Sequence, residues 1–248
     1  MRANFNAFPV QYSTWSKVAS ENHEAAKRAA AGKSDAPVGS TGTGAERGAA
    51  IGEALLRGNT RFLGTPLARL SSDADGSHTH YRLSEPAATV LALTPLPAAA
   101  HTLLGCDEVN LFVVPCTPAG MEDLVVGNAE FGVIAQKTKA ILLVAAPTAE
   151  LSVNVQAARD ALVARDAPLS AAQTAAAEAM MPAVARALAV IPPGHTKAAV
   201  ERLCLEEWVR ECSDELLRQS AVMAELNGRG DIHIMRAVCG ADGAIALL

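Results

Sequence analysis

The chain has 248 residues, half of them apolar, and a formal net charge of −5. That is room for one good-sized α/β domain with an extension, or for two small domains. The acidic balance and an aromatic content of only 4% argue against binding a phosphate backbone or stacking single-stranded bases. The longest apolar runs, such as residues 141–147, are too short to span a bilayer.

Residues 1–31 open with an aromatic-bearing segment holding Phe5, Phe8, Tyr12 and Trp15, followed by an expected helix over 16–31. The segment is basic at first and has no acid before Glu21, as in a mitochondrial presequence; a retained functional tail is the expectation here. Residues 32–45, GKSDAPVGSTGTGA, are small, polar and glycine-rich, which is linker composition. GSTGTGAERG (Gly39–Gly48) has the glycine content of a phosphate loop, but no strand precedes it and no Gly-Lys-Ser/Thr follows. Residues 1–45 are thus expected to be an arm and linker, and residues 46–248 one folded domain.

A helix over ERGAAIGEALLRG, from Glu46, opens that domain. Three short apolar runs ending in proline follow, over residues 88–95, 109–115 and 139–147, and their Val, Ile and Leu content fits buried strands of a mostly parallel sheet. Helices are expected between them over 97–105 and 120–138. Alanine-rich helices follow over 153–165 and 170–190, the second capped by Ser170 and broken or restarted by Pro182. A long amphipathic helix covers 198–220, with Leu203, Val209, Leu216 and Leu217 facing inward. Its charged face holds Glu206, Glu207, Arg210, Glu211, Asp214, Glu215 and Arg218, read as solvated. Two strand-like pieces flank a turn at Gly240–Gly243. Strands alternating with helices make the fold α/β.

Three segments carry a resemblance. GNTRF (58–62) closes the opening helix, LFVV (111–114) precedes a long helix leading to AILLVAA, and LLRQSAVMAEL, GRGDIHI and an ADG turn close the chain. In this order they resemble the β-carbonic anhydrase family over about residues 46–248. The resemblance implies a mostly parallel sheet flanked by helices, and dimers with sheets joined across a two-fold axis. It also implies a zinc held by two cysteines and a histidine beside an Asp–Arg pair, with the metal lowering the pKa of bound water. The family's CxDxR motif follows the first strand, yet here residues 94–99 contain no Cys, Asp or Arg. Its HxxC follows the third strand, where Pro147, Thr148, Ala149 and Glu150 stand. The loop Arg-Asn-Ala-Gly after the second strand is replaced by Pro115, Cys116, Thr117 and Pro118. No catalytic, cofactor or metal residue is carried over.

Other chemistry-bearing residues read as structural. The five cysteines (Cys106, Cys116, Cys204, Cys212 and Cys239) lack CxxC spacing and point to buried free thiols in a reducing compartment. Cys106 beside Asp107 could be a nucleophile only with a histidine supplied by the fold. His78 and His80 form an HxH pair on one strand face without an evident third ligand. His101 is expected at a helix surface or cap, His195 in a loop, His233 outward on a strand, and His23 in the tail.

The expectation is therefore a carbonic-anhydrase-like pseudoenzyme without cofactor, a structural or scaffolding subunit of a larger assembly of cytoskeletal or flagellar type. The arm would dock through Phe5, Phe8, Tyr12 and Trp15. Protein partners, a homodimer or pairing with a paralogue are expected, without nucleic acid or membrane, in the cytoplasm or alternatively the mitochondrion. The competing reading is a carbonate dehydratase or other lyase with an unconventional site.

Overall fold

The computed structural model describes residues 43–64, 86–117, 120–163, 169–191 and 194–248. Helix α1 (Gly44–Gly64) leads to strand β1 (Ala88–Ala92), the short helix α2 (Ala100–Leu103) and a 3-10 turn at Glu108–Asn110. Strand β2 (Leu111–Pro115), helix α3 (Asp123–Ile134) and strand β3 (Ala140–Ala145) follow. Helices α4 (Ala149–Leu162), α5 (Ala171–Val190), α6 (Lys197–Gln219) and α7 (Ala221–Gly228) precede strands β4 (His233–Cys239) and β5 (Ile245–Leu247).

The sheet order is β2-β1-β3-β4-β5. The first four strands run parallel, and β5 turns back antiparallel on β4. β3 lies in the middle with all six residues buried, as a strand covered on both faces must be. Its side chains alternate between two cores. Ile141, Leu143 and Ala145 join the apolar faces of α3 to α7, while Ala140, Leu142 and Val144 join α1 and α2. The period of two along one strand thus sorts the molecule into two helical layers.

The strands expected over 88–95, 109–115 and 139–147 form, shorter at their ends: residues 93–95 lie past β1, and residues 109–110 belong to the 3-10 turn. The helix expected over 97–105 contracts to the four residues of α2. Helix α4 begins before the expected residue 153, because the Thr148 hydroxyl accepts from the Leu151 backbone N–H and caps it. Ser170 caps α5 in a reciprocal pair with Gln173.

Three expectations are corrected. Pro182 does not break α5. It lies on the exposed face, as does Glu178 one turn earlier, so the carbonyl deprived of its partner faces water. His233 does not point outward: it is half-buried, and a Cβ on Gly48 of α1 would meet its own Cβ at 2.5 Å. The acidic face of α6 is not simply solvated. Arg186 on α5 donates to Glu207 and, at 2.6 Å, to Glu211, while Arg210 and Arg218 close the ladder from α6 itself. Arg186 and the two glutamates sit at a helix–helix seam, with the glutamates only 20% exposed.

The GNTRF segment joins the second layer to the sheet. Gly58 lies so close to the turn after α2 that a Cβ there would fall on the Leu104 carbonyl. Next to it, the buried Asn59 amide donates to the Leu103 carbonyl at 2.9 Å and to the Gly243 carbonyl at 2.8 Å. Its oxygen accepts from the Ile245 N–H at 2.9 Å. Arg61 reaches the Gly105 carbonyl, and Phe62 packs over Gly243, whose φ of +84° suits glycine. Replacing Asn59 with Ala strands two carbonyls and an N–H in the interior. The Asn59→Ala chain should lose about 3 kcal/mol of stability, read as a lowered urea midpoint.

Candidate functional site

In an open parallel α/β sheet, ligands enter at the carboxyl ends of the strands. The ends of β1, β2 and β3 are therefore the place to look for chemistry. Past β1, Leu93 still bonds through its N–H to the Val144 carbonyl at 2.9 Å, and Thr94 comes next, buried. The Thr94 hydroxyl donates to the Ala146 carbonyl at 2.9 Å and accepts from the Ala146 N–H at 2.6 Å. It stitches the ends of β1 and β3 together, spending its proton and one lone pair on that stitch. Residues 95–99 present Pro, Leu and Ala side chains, half-buried or exposed.

At the end of β3, Pro147 and Glu150 are exposed and Thr148 is spent as the α4 cap. At the end of β2, Cys116 bonds through its N–H to the Ala92 carbonyl, and its thiol lies 3.7 Å from the Val114 carbonyl. Burial pushes that thiol from 9.0 up to about 12, so it carries its proton at neutral pH and is a poor nucleophile. Cys212 on α6, against the Gly120 backbone, is pushed up as well, first by burial and then by Cys116.

A tetrahedral zinc site needs three or four convergent Cys, His or carboxylate donors. The strand ends offer the Cys116 thiol with Cys212 of α6 beside it, one exposed carboxylate and a hydroxyl already bonded to the backbone, and without a third convergent donor this set does not fit zinc. Among the described residues no group of three or more His, Cys, Asp or Glu is placed to hold a metal ion.

The remaining candidates are scattered. Cys106 is buried behind α2; burial, then the neighbouring Asp107, raise its thiol to about 12 against the pull of Arg61. That state does not suit a nucleophile. All five cysteines are free thiols. His101 is half-buried in α2, and His195 lies exposed in the loop before α6. A shallow groove of about 250 Å³ passes His195 between the end of α5 and the start of α6, lined by Val190, Ile191, Arg202, Leu203 and Glu206. His23, the pair His78 and His80, and the docking aromatics Phe5, Phe8, Tyr12 and Trp15 lie outside the described residues. Among the described residues, no helix is long and apolar enough to cross a membrane.

Comparison with solved structures places this geometry in a known class. The Coccomyxa β-carbonic anhydrase, solved in complex with acetazolamide, superposes with a TM-score of 0.52 at 17% identity, covering 78% of this chain and 84% of that one. The β-carbonic anhydrase CafA of Aspergillus fumigatus gives 0.52 at 18% identity, over 66% of this chain and 76% of its own. One of two tetrameric β-carbonic anhydrases of Sordaria macrospora gives 0.52 at 16%, over 66% and 81%. The chain therefore has a β-carbonic-anhydrase-like fold. No protein-family model and no curated protein sequence matches it.

The raised thiols make a pH prediction. A thiol whose folded pKa lies above its unfolded value of 9.0 contributes stability that is complete below pH 9 and is lost as the pH rises through 11 to 12. Urea midpoints should fall between about pH 8 and about pH 10. The fall should be smaller in a Cys106→Ala/Cys116→Ala chain.

Proposed function

We propose that this chain is a non-catalytic relative of the β-carbonic anhydrases, retaining the fold as a structural subunit held among protein partners. The observation that supports it is Thr94. Where the resemblance implies the first zinc ligand, the chain has a hydroxyl closed into a two-way bond with the Ala146 backbone. Freeing that oxygen for a metal would leave the Ala146 N–H and carbonyl unpaired in a buried place. The second and third strand ends contribute a protonated thiol and a helix cap in place of ligands.

On this reading the purified chain carries zinc far below one atom per molecule and does not accelerate carbon dioxide hydration. Elemental analysis together with stopped-flow hydration decides it. Near-stoichiometric zinc, with hydration activity abolished by a chelator, would overturn it.

Residues 1–45 are the docking arm in this proposal, and residues 46–248 the domain that they hold in place. The arm carries four of the nine aromatics of the chain, Phe5, Phe8, Tyr12 and Trp15. Such side chains anchor interfaces because they bury much area at little conformational cost. The glycine-rich stretch behind them has too little apolar content to fold unaided. The assembly would be of cytoskeletal or flagellar kind, or mitochondrial. Deleting residues 1–45 should leave a soluble, folded domain that no longer co-fractionates with its partners. Full co-fractionation of the truncated chain would remove the arm from the proposal.

A further inference from the structure

Two thiols lie together beside the end of β2. Cys116 directly follows that strand, and its N–H bonds to the Ala92 carbonyl of β1 at 2.9 Å. The chain then doubles back: Thr117 pairs with Gly120 as an antiparallel bridge, and the Gly120 N–H returns to the Thr117 carbonyl at 3.0 Å. Gly120, at a φ of +91°, brings this turn against α6, where a Cβ on it would lie 3.9 Å from the Cys212 sulfur. Cys212 belongs to the buried core of that face, and Cys116 packs against the same core. Burial first, and then Cys116, hold the Cys212 thiol protonated, and an electrostatic effect of that kind falls off with distance.

Donor number and softness decide which ion such a pair can hold. The core around the two sulfurs is built of aliphatic side chains, Trp208 and Met, with Met121, following Gly120, among them. The Glu211 carboxylate, whose charge also reaches Cys212, is held by Arg186 at 2.6 Å and by Arg218 at 3.3 Å. Among the described residues no third His, Cys, Asp or Glu completes a metal-holding group. Structural zinc takes four donors, and calcium and magnesium take oxygens, so two sulfurs in a hydrocarbon setting suit none of them. Cu(I) is a soft ion that thiolate and thioether ligands select, and it accepts two thiolates in a line.

The protons on the thiols do not bar this ion. Attack on an oxidant needs a thiolate, which buried thiols supply poorly, whereas a metal displaces the proton itself. One Cu(I) and two thiols give a bis-thiolate centre with one net negative charge and release two protons. A way in exists as well: Cys116 is half-buried between the exposed Pro115 and Thr117, although Cys212 is only 3% exposed.

We propose that Cys116 and Cys212 form a two-thiolate site for a soft monovalent ion, Cu(I), which ties the end of β2 to α6. The inference goes beyond the non-catalytic reading and does not depend on it, since zinc content and carbon dioxide hydration can come out either way without touching this pair.

Anaerobic loading of the full chain with Cu(I), followed by competition with a chromophoric Cu(I) chelator, tests it. The unaltered chain should retain one copper per molecule, with thiolate-to-copper absorption in the near ultraviolet and only sulfur neighbours in X-ray absorption. Zinc offered alone should not be retained at that level. Cys116→Ser and Cys212→Ser chains should each lose the copper, whereas Cys106→Ala, Cys204→Ala and Cys239→Ala chains should each keep it. Because Cys212→Ser puts a hydroxyl into the core and could loosen it, the thermal midpoint supplies a second reading. Cu(I) should raise the midpoint of the unaltered chain by binding the folded state, and leave that of the Cys116→Ser chain unmoved. Copper surrendered to the chelator by the unaltered chain overturns the proposal. So does copper held equally by the Cys116→Ser chain, or zinc held one per molecule by the same two thiols.

Discussion

The two-layered architecture depends on one buried amide. A sheet apolar on both faces needs a cover on each, and the thinner cover here is α1 with α2. Helix α1 packs Ile51 and Leu55 on the sheet, and side-chain bonding fixes its far end. Asn59 does this by binding the backbone of two separate segments, Leu103 beyond α2 and the β4–β5 turn at Gly243 and Ile245. Gly58 and Gly105 make the approach possible, because a Cβ on either would strike the backbone of the other segment. A carboxamide is suited to the position because it donates twice and accepts in one plane. The short strand β5 would otherwise have little to hold it against β4.

The same economy operates at the carboxyl ends of the parallel strands, with a different outcome. In this fold those ends are where chemistry can be assembled, because backbone direction and loop exposure converge there. In this chain they are joined to one another instead. The Thr94 hydroxyl closes the gap between β1 and β3, and Thr148 turns the end of β3 directly into α4. Hydroxyls used in this way stabilise the frame. The fold and the reactive site are separable, and retaining one places no demand on the other.

The helical layer on the other face shows how tertiary contacts reassign surface charge. On α6 alone, the acidic positions look like the wet side of an amphipathic helix. Once α5 lies alongside, Arg186 reaches across to two of them, and the ladder becomes part of the seam between helices. Isolated surface pairs contribute little, but a shared guanidinium with two partners fixes the register of α5 on α6 as well.

Much of the frame was legible along the chain because its signals are local. Proline-ended Val, Ile and Leu runs marked β1, β2 and β3, Ser170 marked the start of α5, and Gly240–Gly243 marked the last turn. The GNTRF, LFVV and GRGDIHI segments carried the family resemblance in their order, and the superposed structures share that fold. That residues 94–99 hold no Cys, Asp or Arg and residues 147–150 no Cys or His was equally plain, since a residue type absent from a segment is absent in any fold. Other features belonged to three dimensions alone. The role of Asn59 depends on partners 44 and 184 residues away. The burial of His233 depends on a glycine in a distant helix, and the continuity of α5 through Pro182 depends on which side of the helix meets water. Local sequence determines which elements form and which atoms they carry. Packing decides which of those atoms are already engaged, because hydrogen bonds and excluded volume act between segments that the chain order keeps apart.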